Sequence, residues 1–174
     1  MRTFDLQLFG STVSGKKILY LYRPHDQATT MDGTQIAFVT ENGRTKSKDA
    51  DSTATKDGSI RTPGAMEQEI TCTSILSTDD DMIDTLETCL DEDKLMDIWE
   101  ADLTRPGTES NTFKGRYFQG YVTEFEKNSN AEDMVEISLT FGINGNGVKG
   151  DVTVTADQQE AASYVFVDTP KTGA

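Results

Sequence analysis

Apolar and polar residues alternate along much of this chain with the period of two that marks a half-buried β-strand. The alternation is cleanest over residues 134–141, "MVEISLTF". There Val135, Ile137, Leu139 and Phe141 are set against Glu136, Ser138 and Thr140, which predicts one face on a core and a Glu–Ser–Thr face turned away. Residues 16–23, 34–41, 67–76, 94–103 and 113–127 read as further strands, rich in β-branched and aromatic residues and bounded by turn signals such as Asp32-Gly33. In 94–103 the inward set is Leu95, Trp99, Ala101 and Leu103. Residues 113–127 and 134–141 form a hairpin across the polar turn 128–133, with Glu124 expected on one face and Tyr121, Thr123 and Phe125 on the other. Short strands are also expected at 151–156 and 163–168.

The period changes once. Over residues 79–93, Met82, Ile83, Leu86, Cys89 and Leu90 recur at helical spacing. Thr78 can cap this helix, and Asp79, Asp80 and Asp81 suit the positive end of its dipole. Its apolar stripe should lie on a sheet. Residues 42–66 have almost no apolar residues and no periodicity, and predict a long polar loop that orders on binding. Strands do not alternate with helices, which excludes a doubly wound sheet. The expectation is a mainly β chain: two packed antiparallel sheets, sandwich or barrel-like, flanked by one helix. Residues 1–174 then make one domain, with 1–15 and 156–174 as extended terminal arms.

Charge sharpens this picture. The formal net charge is −14, and a chain this acidic repels nucleic acid rather than displacing counterions from it. The acid is concentrated between Asp79 and Asp102, which hold eleven acids and one base, Lys94. The 42–66 segment is basic by comparison, with Arg44, Lys46, Lys48, Lys56 and Arg61. Like-charged copies associate only through complementary patches. These bases are therefore candidates for contact with an acidic surface of Asp79, Asp80, Asp81, Asp84, Asp91 and Asp97 on the next copy. No apolar run approaches the ~18 residues of a membrane span, so no membrane partner is expected. Asp5 and Gln7 interrupt the first apolar stretch, which argues against a signal peptide and for an intracellular origin. Cys72 and Cys89 lie in apolar patterns and read as buried, reduced thiols.

No catalytic, cofactor or metal constellation emerges. His25, the only histidine, reads as a turn residue rather than half of an acid–base pair with Asp26. The contiguous acids at 79–81 lack the spaced ligands and central glycine of a calcium loop. The serines lack a nucleophile elbow. Gly142, Gly145 and Gly147 follow the best strand in G-x-x-G-x-G order. A dinucleotide loop needs G-x-G-x-x-G opening a helix, and here "VKGDVTVT" follows instead. The glycines are expected to mark where that strand leaves the sheet.

Residues 118–147, "FQGYVTEFEKNSNAEDMVEISLTFGINGNG", resemble the major tail proteins, or tail-tube proteins, of long-tailed, non-contractile bacteriophages. The likeness rests on Gly120 with Val122, an acidic turn, Val135, Ser138 and Phe141, and the closing glycine run. The order of elements agrees over most of the chain. The resemblance implies a virion structural protein, not an enzyme, that forms stacked hexameric rings with sheet edges joined between subunits around a channel. It implies that DNA passes through without specific binding, and that the long loop contacts a neighbouring subunit or ring. Glu124, Glu136, Ser138 and Thr140 would line the channel. Partners implied are further copies of the chain and the tape measure, tail terminator and distal tail proteins, with assembly in the host cytoplasm. A contractile-tail or secretion-tube component shares these features. A carbohydrate-binding sandwich would display aromatics on an open face, whereas Trp99 lies in an apolar pattern.

Overall fold

A computed structural model describes residues 12–162. Six strands, all antiparallel to their neighbours, form one sheet in the order β1-β4-β5-β6-β3-β2. They are β1 (Ile18–Pro24), β2 (Val39–Thr55), β3 (Gly58–Ile75), β4 (Met96–Pro106), β5 (Thr112–Asn128) and β6 (Glu136–Thr153). Helix α1 (Asp81–Asp91) connects β3 to β4, and a short helix α2 (Ala156–Ala162) follows β6.

The two expected sheets are two halves of this single one, which curls until its inner face meets itself. Tyr22 of β1 stacks on Phe141 of β6 at 5.0 Å between ring centroids, although two strands separate them in the sheet. The main core lies between the halves and includes Tyr22, Ile70, Ile98, Phe118, Ile137 and Leu139. Helix α1 packs its apolar stripe into this core. Met82, Ile83 and Leu86 are buried, each contributing about 1.5–3 kcal/mol. Its cap is Asp80 rather than Thr78: the carboxylate accepts the Met82 amide at 3.1 Å and the Ala37 amide at 2.8 Å. Cys72 and Cys89 are both free, buried thiols, and burial pushes the Cys72 thiol up to about 12.

A second apolar cluster covers the other face of β1 and β4. Leu19, Leu21, Ala101, Val152 and Val154 are buried there, with Trp99, Leu103 and Phe113 packed against them. Of the inward set read for 94–103, Trp99, Ala101 and Leu103 face this cluster, Leu95 precedes the strand, and Met96 and Ile98 face the main core instead. Gln158 of α2 donates to the Gly33 carbonyl at 3.0 Å and closes this side.

Four expectations change. Residues 42–66 are not a loop: β2 and β3 pair from Val39–Ser74 out to Thr55–Gly58, with Lys56 and Asp57 as the turn. The strand expected at 34–41 begins only at Val39, and residues 151–153 are the end of β6 rather than a separate strand. The 156–174 arm opens with α2, and the strand expected at 163–168 lies outside the described residues.

The glycine run does not end β6 either. Residues 145–147 stand opposite the single Phe118, a bulge that lets the strand continue to Thr153. Gly145 and Gly147 have φ of +70° and +69°, and a Cβ on Gly147 would lie 2.4 Å from the Phe118 ring. Gly147→Ala adds left-handed strain and an overpacked ring. It should cost about 2–4 kcal/mol, read by urea unfolding; a loss below about 1 kcal/mol would show that Phe118 moves aside freely.

Candidate channel and assembly surfaces

The half-sheet β2-β3-β6-β5 has an outer face, opposite the core, whose composition follows from the register. Across it run the rows Glu41–Thr73–Ser138–Glu126, Gly43–Thr71–Thr140–Glu124 and Thr45–Glu69–Gly142–Tyr121, with Ile75–Glu136–Asn128 beyond them. Five glutamates stand on these rows and no lysine or arginine does. Hydroxyl side chains fill the middle, and Thr140 donates to Glu124 at 3.3 Å. Glu136, Ser138 and Thr140 are partly exposed while Ile137, Leu139 and Phe141 are buried, as the alternation requires. Tyr121 departs from expectation. A bulge between Val122 and Glu124 resets the alternation, so Tyr121 joins Glu124 outside while Phe125 packs on the core.

The residues expected to meet across a subunit contact are placed unequally. Asp79, Asp81, Asp84 and Asp91 are exposed on or beside α1. Asp80 is occupied as the helix cap. Lys46, Lys48, Lys56 and Arg61 are exposed along the β2–β3 hairpin. Arg44 is exposed too but already paired: its Nε donates to Glu100 at 2.8 Å and its guanidinium lies 5.8 Å from the Phe118 ring centroid.

Asp97 is no surface residue. Its side chain is 1% exposed, on the second face of β4. Arg23 and Gln119 are its cross-strand neighbours. Arg23 donates to one carboxylate oxygen at 2.9 Å, and Tyr117 donates to the other at 2.6 Å. His25 Nδ1 lies 2.8 Å from that second oxygen. Burial by itself would raise the carboxyl pKa. The bonds from Tyr117, Arg23 and His25 outweigh it and hold Asp97 below the usual carboxylate range. Burial and the same carboxylate push Tyr117 up to about 12. His25 thus belongs to a structural network through Asp97, not through Asp26. The network buttresses the junction of β1, β4 and β5.

Solved structures with this architecture include tail tubes. The SPP1 tail tube superposes with a TM-score of 0.73 at 19% identity, over 93% of this chain and 95% of that one. The tail of the empty gene transfer agent particle, refined with C6 symmetry, gives 0.60 at 10% identity, over 79% and 98%. The sheath–tube complex of the extracellular contractile injection system PVC gives 0.52 at 11%, over 81% and 93%. The fold is therefore that of tail-tube proteins.

In sequence, residues 12–149 match the family model described as phage tail tube protein. A candidate tail protein of Staphylococcus phage phiMR25 is 32% identical over 149 residues, covering 83% of this chain and 77% of that protein. The chain belongs to the phage tail tube protein family, and it is a structural component of the virion tail.

Proposed function

We propose that the chain polymerises as stacked hexameric rings, and that the Glu–Ser–Thr outer face of β2-β3-β6-β5 lines the channel through which DNA travels. The observation that carries this reading is the absence of any base from the rows holding Glu41, Glu69, Glu124, Glu126 and Glu136. Carboxylates repel phosphate, and without lysine or arginine there is no counterion release to hold DNA on the wall. The sheet supports a ring as well. Strands β1 and β2 are its edges, and their unpaired backbone groups can join a neighbour's strand. The six-fold symmetry of the gene transfer agent tail agrees with six copies per ring.

The role is structural rather than catalytic. The exposed β2–β3 hairpin serves as the arm that reaches a neighbouring subunit or ring. The tape measure, tail terminator and distal tail proteins are its other partners, and the tube assembles in the host cytoplasm as part of a non-contractile tail. Negative-stain electron microscopy of the concentrated protein tests the central claim. Rings or tubes with an open centre and six-fold averages are expected; uniform globules at every concentration would overturn it. Recruitment of a sheath protein would reassign the tube to a contractile machine.

A further inference from the structure

The strands all run between two ends of the subunit, and the ends carry opposite charge. At one end, β3 delivers the chain into α1, α1 returns it to the start of β4, and β5 finishes near the start of β6. Here Asp79, Asp81, Asp84, Glu87 and Asp91 are exposed. Lys94, the base nearest them in sequence, is already engaged, 2.7 Å from Glu92 and 3.8 Å from Asp26.

At the other end the two halves of the sheet separate. β6 pairs with β3 only over residues 136–142, and beyond that point β3 continues into the hairpin while β6 stays with β5. A cleft of about 500 Å³ opens between the diverging halves. Arg44, Arg105, Lys114, Arg116 and Lys149 line it against Glu100, Asp102 and Asp151, five bases to three acids in a chain of net charge −14.

Two of these bases are spent internally, Arg44 on Glu100 and Lys114 on Asp151 at 2.5 Å. Lys114 and Thr108 hold the Asp151 carboxyl down to about 2. Among the described residues, Arg105, Arg116 and Lys149 have no ion-pair partner. Arg116 stands between Lys149 and Glu100 in the register, and Glu100 already accepts from Arg44 and Tyr20, so the like charges of Arg116 and Lys149, side by side, favour a further anion. Lys46 and Lys48 continue the face of Arg44 along β2. Opposite Lys46 is Gln68, 4% exposed, with neither amide atom hydrogen-bonded. A buried amide left open in this way is costly, and it stands next to Lys46 in the register.

We propose that this basic mouth receives the acidic helix α1 of a neighbouring copy, so that subunits associate head to tail. Copies that repel overall need a complementary pair of patches to meet. Of the described surface, α1 supplies the densest exposed acid and the mouth supplies a basic concavity with bases to spare. Opposite ends on one chain make the contact heterologous, the kind that propagates into rings or stacks. The proposal rests on the polymerisation reading above but assigns a different base set from the hairpin.

Three variants test it: Arg116→Glu with Lys149→Glu, Asp84→Lys with Glu87→Lys, and all four together. Asp84, Glu87 and Lys149 are exposed and Arg116 is partly so, so thermal midpoints should stay close to the parental one. Each pair alone should raise the concentration needed for assembly at least roughly tenfold. The fourfold variant, and an equimolar mixture of the two pairs, should recover it, because every mouth again meets a helix of opposite sign. Pairs that assemble like the parental chain overturn this docking while leaving the tube intact. Loss without recovery shows that another acidic occupant uses the mouth, and also overturns it. A parental chain that never assembles overturns the tube reading itself.

Discussion

Asp97→Ala should lower stability by about 3–5 kcal/mol, the cost of breaking a buried ion pair from one side. That is a large share of the 5–15 kcal/mol available to a typical domain. The deletion strands more than one group. Arg23 keeps a largely buried guanidinium whose Nε already lacks a hydrogen bond. Tyr117 loses the acceptor for a 2.6 Å bond, and His25 loses its nearest oxygen. Tyr117→Phe removes only one donor and should cost about 1 kcal/mol.

The pH dependence provides a second readout. The folded Asp97 carboxyl titrates below its unfolded value, which lies near 3.9. The stability it contributes is therefore present above about pH 3.9 and is lost as pH falls through the lower folded value. The difference between parental and Asp97→Ala proteins should be full at neutral pH and shrink in acid. Urea unfolding at pH 7, 4 and 3 measures it. A difference that grows in acid would mean that the carboxyl is already protonated in the native protein.

Asp97 also shows how legible this chain was. Leu95, Trp99, Ala101 and Leu103 read as one inward set, and position 97 falls in the same alternation. The period of two placed the aspartate inside; its charge and acidic neighbours argued for the surface, and the period was right. The helix was legible for the opposite reason, since its buried stripe of Met82, Ile83, Leu86 and Cys89 has nothing competing with it. The β2–β3 hairpin was not legible, because beyond Met66 both of its faces are exposed and alternation needs a buried side to appear. Its only local mark was Asp57-Gly58, a hairpin-turn dipeptide, within a segment that otherwise looks disordered.

The bulges escaped for another reason. Any residue can occupy the extra position of the β5 bulge, Thr123 between Val122 and Glu124, so nothing in the sequence says that Tyr121 and Glu124 share a face. The bulge opposite Phe118 did leave a signal in Gly145 and Gly147, but glycine marks a break in regularity without saying whether the strand ends or continues. The basic mouth was least visible of all. Arg44, Arg105, Arg116 and Lys149 are far apart in sequence, and only the register of four strands brings them together.

Tubes built from the triple variant Glu124→Lys, Glu126→Lys and Glu136→Lys should bind DNA that parental tubes let pass. Glu124 and Glu126 are exposed and Glu136 is partly so, none has an ion-pair partner among the described residues, and the substitutions leave the core untouched. Folding and assembly should therefore be retained. Each subunit gains six units of positive charge on the outer face. If its three lysines neutralise about three phosphates, affinity should fall about 40-fold between 50 and 200 mM salt, from a slope near −0.9 per phosphate. The salt slope separates this effect from misfolding, which would not produce a log-linear dependence. In virions the same change should stall ejection, since a wall that holds phosphate at every ring multiplies a weak contact along the whole channel. Filter binding of DNA to purified tubes, paired with ejection from variant virions, reads both consequences. Variant tubes that ignore DNA at 50 mM salt, on virions that eject normally, would place these glutamates on the outside of the tube and turn the sheet around.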